Sequence, residues 1–136
     1  MRRRVIIKGK IFSGLGQGGF FTQLDWVKQQ CQEKLNFVPF PGTLNIKLDV
    51  QYLDAIKEMK EKEGVTLIPP TSDFCQALCY PVLIGSVRAA IVVPQAEHFT
   101  DEVHPQDVLE IIAPVNVKEA LSVKDGDELT LQVEEQ

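Results

Sequence analysis

The sequence predicts a mainly β domain of α+β character: a compact barrel of about six short strands carrying two or three short helices. Three observations lead there. Short runs rich in Val, Ile and Leu recur along the chain, each stopped by Gly, Pro or Asp-Gly. Two of them, Ala77 to Ile84 and Val87 to Val93, are separated only by Gly85-Ser86, the spacing of a β-hairpin. The helical stretches are few and short, which fits decoration of a small barrel better than a helix-covered parallel sheet.

The elements follow in order. Arg4 to Phe12 is rich in β-branched residues and partly alternating, and reads as a strand. Ser13 to Gly19 holds four glycines in seven residues and reads as a loop. Phe20-Phe21-Thr22 is expected to be a short strand. Asp25 looks like a helix N-cap, and Leu24, Val27, Cys31 and Leu35 then recur at spacings of three and four as one apolar helix stripe. Asn36 is a helix stop. The prolines of Val38-Pro39-Phe40-Pro41-Gly42 impose an extended or turning path. Thr43 to Leu48 alternates as a strand with Leu44, Ile46 and Leu48 on one face. Tyr52 to Glu63 is a charged helix supported by Glu58 and Lys62 four apart, and Gly64 ends it. Val65 to Ile68 is a short strand stopped by Pro69-Pro70. Pro94 to Gln106 is a polar loop, Val108 to Ile112 an apolar strand, Val117 to Leu121 a short helix. Asp125-Gly126 is a turn before the final alternating strand with Leu129, Leu131 and Val133.

Composition narrows the function. The 136 residues suit one domain with a self-sufficient core. Lys and Arg number 14 against 19 Asp and Glu, a net charge of −5, which disfavours general nucleic-acid binding. No apolar run approaches the roughly 20 residues of a membrane span, so no membrane partner is expected. The basic cluster Arg2-Arg3-Arg4 lacks the apolar segment of a signal peptide, so a cytoplasmic location is expected. Three cysteines, Cys31, Cys75 and Cys79, make an odd count that argues against a disulfide framework. Cys75 and Cys79 lack two further nearby ligands for structural zinc, since His98 and His104 stand in a later polar stretch. They read as small apolar residues.

Three constellations carry chemistry. Gly14, Gly16 and Gly19 match G-x-G-x-x-G after a strand, yet the Phe20-Phe21-Thr22 run and the absence of an acidic residue about twenty positions on speak against a dinucleotide fold. Two readings stay open: a backbone nest for phosphates, or a flexible turn. Thr43 and Asn45 share a strand face and offer neutral oxygens. Magnesium accepts such ligands when phosphates supply the charge; otherwise they are wet-face polar residues. Glu110 sits in the apolar run Val108 to Ile112, where a carboxylate is costly unless it has a partner or a task.

These residues occur within longer blocks: Gly14-Leu15-Gly16-Gln17-Gly18, Leu35 to Asn45 with Pro41-Gly42-Thr43-Leu44-Asn45, Ala90 to Pro94, His104-Pro105, Leu109 to Pro114, and Val123 to Asp127. In that order and over nearly the whole chain, they resemble the archaeal-type CTP-dependent riboflavin kinases. The resemblance implies a six-stranded riboflavin-kinase-like barrel of the cradle-loop type spanning residues 1–136, without the winged-helix domain that precedes it in some members. It implies transfer of the γ-phosphate of CTP to the 5′-hydroxyl of riboflavin, giving FMN and CDP. By the same carry-over, Gly14, Leu15, Gly16, Gln17, Gly18 and Gly19 wrap the nucleotide, and Val115, Asn116, Val117 and Lys118 line its pocket. Thr43 and Asn45 hold Mg2+, and Glu102 and Glu110 contact the flavin, with Glu110 the one candidate for catalysis. Family members often carry Thr where Glu102 stands and commonly Arg near Lys118. The Glu102 departure motivates the competing class, a non-enzymatic flavin- or nucleotide-binding barrel acting as sensor or carrier.

Overall fold

A computed structural model describes residues 4–13, 18–95 and 107–134. The strands are β1 (Arg4–Phe12), β2 (Leu44–Leu48), β3 (Val65–Leu67), β4 (Ala77–Ile84), β5 (Val87–Pro94), β6 (Val108–Ile112) and β7 (Glu128–Glu134). The α-helices are α1 (Gly18–Gln23), α2 (Asp25–Leu35), α3 (Leu53–Lys60) and α4 (Val117–Leu121), and a 3-10 turn at Val50–Tyr52 leads into α3.

All strand pairings are antiparallel, in the order β3-β4-β5-β6-β2-β1-β7, and β7 returns to β4. Six strands therefore close a barrel, and β3 is appended to it. The closure works because β4 divides one of its edges. Its first residues, Ala77 to Cys79, pair with β3, and Val82 and Leu83 pair with Val133 and Gln132 of β7. Pro81 falls between the two partners, where a missing N–H breaks no ladder bond on that edge.

Strand alternation sends one set of side chains inward. Ile7, Ile11, Ile46, Ile91, Ile111 and Leu131 are essentially inaccessible and fill the barrel. A second core lies outside it, where Val27, Cys31 and Leu35 of α2 pack on Ala77, Cys79, Ala90, Val92 and Ile112. The predicted helix stripe is thus the seam that glues α2 to the outer sheet face. Burial pushes the Cys79 thiol up to about 12 and Cys31 up to about 11, so both are neutral, packed residues as the composition suggested.

Several boundaries differ from the sequence expectation. Phe20-Phe21-Thr22 is helical, not a strand. The turn is stabilised by Thr22 Oγ1 and Gln23 Nε2, which both donate to the Gly19 carbonyl, and Thr22 Oγ1 accepts from the Gly42 N–H at 2.8 Å. Asp25 is the first residue inside α2, with Leu24 at the cap position. There its charge still faces the positive helix end and reaches Lys28 at 4.0 Å. The helix after Asp49 begins as a 3-10 turn and stops at Lys60, so Lys62 lies beyond it and the Glu58 spacing is not a helical pair. The strand after Gly42 begins at Leu44 and leaves Thr43 in the preceding turn. Asn36 ends α2 in the left-handed conformation, as expected.

Candidate active site

Two chain segments far apart in sequence build a cleft at one end of the barrel. The first is Phe40 to Leu44. Gly42 has φ of +105°, a conformation that suits glycine, and its N–H is held by the buried Thr22 hydroxyl. The second is Ile111 to Lys118, where β6 runs through Ala113-Pro114 into α4. The Phe40 N–H donates to the Ala113 carbonyl at 2.7 Å and pins the two together. Between them is a cavity of about 170 Å3, lined among others by Thr43, Val115, Asn116, Val117 and Lys118. It has room for part of a nucleotide. A larger cleft of about 700 Å3 opens near Val5, Met59, Tyr80 and Val133, at the barrel end where the first and last strands meet, and holds none of the residues that the motifs single out.

Four of the sequence candidates, Val115, Asn116, Val117 and Lys118, thus meet a fifth, Thr43, in one cleft. α4 is organised there by its own cap: Asn116 Oδ1 accepts from the Glu119 N–H at 3.3 Å. Lys118 Nζ lies 2.6 Å from Asp125 Oδ1, and Ser13 Oγ donates to the other oxygen of the same carboxylate. The Lys118 hydrogen bond, with that of Ser13, holds the Asp125 carboxyl below its usual range. The Asp125-Gly126 turn is itself tied to β1, since the Gly126 N–H donates to Ile11 and the Ile11 N–H to Asp127. This network brings Ser13, the residue before the glycine run, beside Lys118. At the other end of that run, Gly18 and Gly19 open α1, whose Thr22 grips Gly42. Gly14, Leu15, Gly16, Gln17 and Glu102 themselves lie outside the described residues.

The remaining two candidates are joined by strand register. Asn45 of β2 is directly opposite Glu110 of β6, and Glu110 is opposite Val92 of β5. Neither Asn45 nor Glu110 points into the barrel, because Leu44, Ile46, Leu109 and Ile111 take those positions. Both are half-buried on the outer face, one residue pair along from the cleft. Among the described residues, no hydrogen bond or ion pair engages the side chains of Thr43, Asn45 or Glu110, so all three are free to meet a ligand.

Sequence comparison adds the family. The family model of CTP-dependent riboflavin kinases, described as a domain of unknown function (DUF120), matches residues 11–133. The chain belongs to this family. Riboflavin kinases similar to it include that of Methanosarcina barkeri, 37% identical over 134 residues, which is 96% of this chain and 57% of the relative. That of Pyrobaculum aerophilum is 39% identical over 128 residues, 92% of this chain and 59% of the relative. That of Ignicoccus hospitalis is 36% identical over 132 residues, 95% and 71%. The chain spans less than three fifths of the Methanosarcina and Pyrobaculum relatives. The family's six-strand barrel, expected from the resemblance, is the closed ring described above. Among the described residues no helix is long and apolar enough to cross a membrane.

Reasoning from the sequence missed the parts that connect these candidates. Ser13 and Thr22 carry no motif, and Asp125 reads from the sequence only as part of a turn and of the Val123 to Asp127 block. Their hydrogen bonds tie Ser13 to the Lys118–Asp125 pair and α1 to Gly42, and only the tertiary structure reveals them.

Proposed function

We propose that this chain is a riboflavin kinase that transfers the γ-phosphate of CTP to the riboflavin 5′-hydroxyl, giving FMN and CDP. One observation carries the reading beyond family membership. A cleft at the barrel end lined by Thr43 and Val115 to Lys118 lies one register pair along from Asn45 and Glu110, since Leu44 and Ile111, which also line it, are the next facing pair. Donor and acceptor can therefore lie end to end, which is the main requirement of phosphoryl transfer.

The assignments follow from chemistry. Lys118 faces the phosphates; its exposed ion pair with Asp125 is worth little and yields to a more highly charged partner. Thr43 and Asn45 offer uncharged hard oxygens without competing partners among the described residues. Among the described residues no cluster of His, Cys, Asp and Glu could hold a metal alone. That donor set suits Mg2+ carried in with the nucleotide, whose role is to neutralise phosphate charge. Glu110 accepts hydrogen bonds from the hydroxyls of the ribityl chain and turns the terminal one toward phosphorus. The 5′-oxygen forms the new P–O bond, the bond to CDP breaks, and the hydroxyl proton leaves to Glu110 or to water. CTP as donor is supported by the family's name, and a cytoplasmic setting by the sequence.

The test is direct. Purified protein is incubated with riboflavin, Mg2+ and each of CTP, ATP, GTP and UTP, and FMN is quantified. FMN formed fastest with CTP is expected. Binding of both substrates without FMN from any nucleotide would replace the kinase reading with that of a carrier.

A further inference from the structure

Asp125 puts a negative charge beside a cleft assigned to phosphates, where a like charge works against binding. It is not among the residues around the cavity, yet it holds one that is: Lys118 Nζ lies 2.6 Å from its Oδ1. Stability does not account for the pair. The side chains are 40% exposed for Lys118 and 46% for Asp125, and ion pairs in such positions contribute little to folding.

The two partners differ in freedom. Asp125 is fixed by the backbone of its turn. The Gly126 N–H donates to the Ile11 carbonyl at 2.8 Å, and the Ile11 N–H to the Asp127 carbonyl at 2.9 Å. The Asp127 side chain accepts from the Lys124 N–H at 2.9 Å. Ser13 Oγ, just past the end of β1, holds the second carboxylate oxygen, Oδ2. Lys118 is fixed at its base, where its carbonyl accepts from the Val123 N–H at 3.0 Å and closes the end of α4. Beyond that base a flexible four-carbon stem carries the ammonium. The ammonium can therefore leave, and the carboxylate cannot follow it.

The geometry points to Asp125 as a built-in counter-ion that competes with the phosphates of the nucleotide for Lys118 and so sets how tightly the product is held. The inference rests on the reading of Lys118 as the residue that faces the phosphates. The ammonium exchanges between two anions, Asp125 Oδ1 and a phosphate oxygen. A polyphosphate carries more charge than one carboxylate and wins the exchange, at an affinity reduced by the pair that it has to break. As CDP leaves, the pair forms again, because Ser13 and the turn keep the carboxylate where the ammonium can return to it. The exchange moves no covalent bond and no proton.

The experiment uses the full chain, with CDP and Mg2+ as the probe in calorimetry and the kinase assay alongside. Asp125→Asn keeps the shape and leaves an amide oxygen to accept from Ser13, but it offers Lys118 no anion. It should bind CDP about three- to fivefold more tightly, the scale of an exposed ion pair. The riboflavin KM and the melting temperature should stay close to wild type. In a Lys118→Met background no ammonium is left to compete for, and the same substitution should leave CDP affinity nearly unchanged. Unchanged or weakened CDP binding by Asp125→Asn would overturn the competition. So would a gain of equal size in both backgrounds, which marks plain repulsion by the carboxylate. CDP affinity that depends on Asp125 only when Lys118 is present, in a protein that makes no FMN, would support the counter-ion and sink the kinase reading. Normal FMN formation with CDP affinity indifferent to Asp125 would do the reverse.

Discussion

Glu110 stands between neighbours of opposite character, the amide of Asn45 on one strand and the methyls of Val92 on the other. Its carboxylate lacks a partner among the described residues, so neutralising it orphans none of them. Glu110→Gln should therefore leave the melting temperature unchanged. A loose phosphoryl-transfer transition state asks little of a base. The variant should raise the riboflavin KM and lower kcat by less than about tenfold, whereas a kcat loss beyond roughly 100-fold would make Glu110 the proton acceptor. Asn45 separates from it by partner. If its amide oxygen meets the metal, Asn45→Ala should demand several-fold more Mg2+ for half-maximal rate and leave riboflavin binding intact. A magnesium titration that overlays the wild type would reduce Asn45 to a polar residue on a wet strand face.

At the scale of elements, the close approach of β1 and β2 depends on one residue without a side chain. A Cβ at Gly9 would overlap the Ile46 side chain and stand 2.7 Å from the Lys47 carbonyl oxygen. Backbone cannot step aside as a flexible side-chain end can. Gly9→Ala should cost about 1–3 kcal/mol, the usual penalty of overpacking, read as a lowered urea midpoint at unchanged slope. The strand reading of Arg4 to Phe12 is plain in the sequence, yet this requirement is invisible there because it belongs to the partner strand. The same division runs through the other elements. The Gly85-Ser86 hairpin, α4, the Asn36 stop and the last strand are legible because turn chemistry and alternation act locally. Phe20-Phe21-Thr22 is not, since three apolar or β-branched residues show no period. Its helix is settled by Gly19 before it and by Gly42, far along the chain. Likewise Thr43, Asn45 and Glu110 stand out as residue types, but the register that sets Asn45 against Glu110 exists only in the folded sheet. Trp26 is the least legible of all. It lies off the apolar stripe of its helix, and nothing local marks its nitrogen as lacking a hydrogen-bond partner among the described residues.

For the whole molecule, the division of labour is between two cores. The inner one closes the barrel. The outer one holds α2 against the β4–β5–β6 face, with Phe21 and Trp26 packed on its edge. The seam where β4 changes partners is the narrowest part of the ring, with two register pairs to β7 against seven between β1 and β7. Asn45 and Glu110 stand on the outer face, so a ligand that meets them does not require the inside of the barrel to open. A ligand on that face meets strands braced from behind by Ile91, Ile111 and their neighbours.

The pairing of first and last strands has a consequence for chain order. Arg4 is the register partner of Glu134, so the two ends of the barrel chain lie side by side, about 5 Å apart between facing Cα atoms. Ser13, just past the end of β1 and hydrogen-bonded to the Asp125 that pairs with Lys118, is nine residues from Arg4, roughly 30 Å by strand rise. The linear order of the strands is then a convention that can be rewritten. A circular permutant that joins residue 136 to residue 1 through a short Gly/Ser linker and opens the chain between Gly85 and Ser86 moves both ends to a surface hairpin. It should keep the far-UV dichroism of the parent and its affinity for CDP within a few-fold. An unfolded permutant would show that the β4–β5 hairpin must remain continuous for the ring to close.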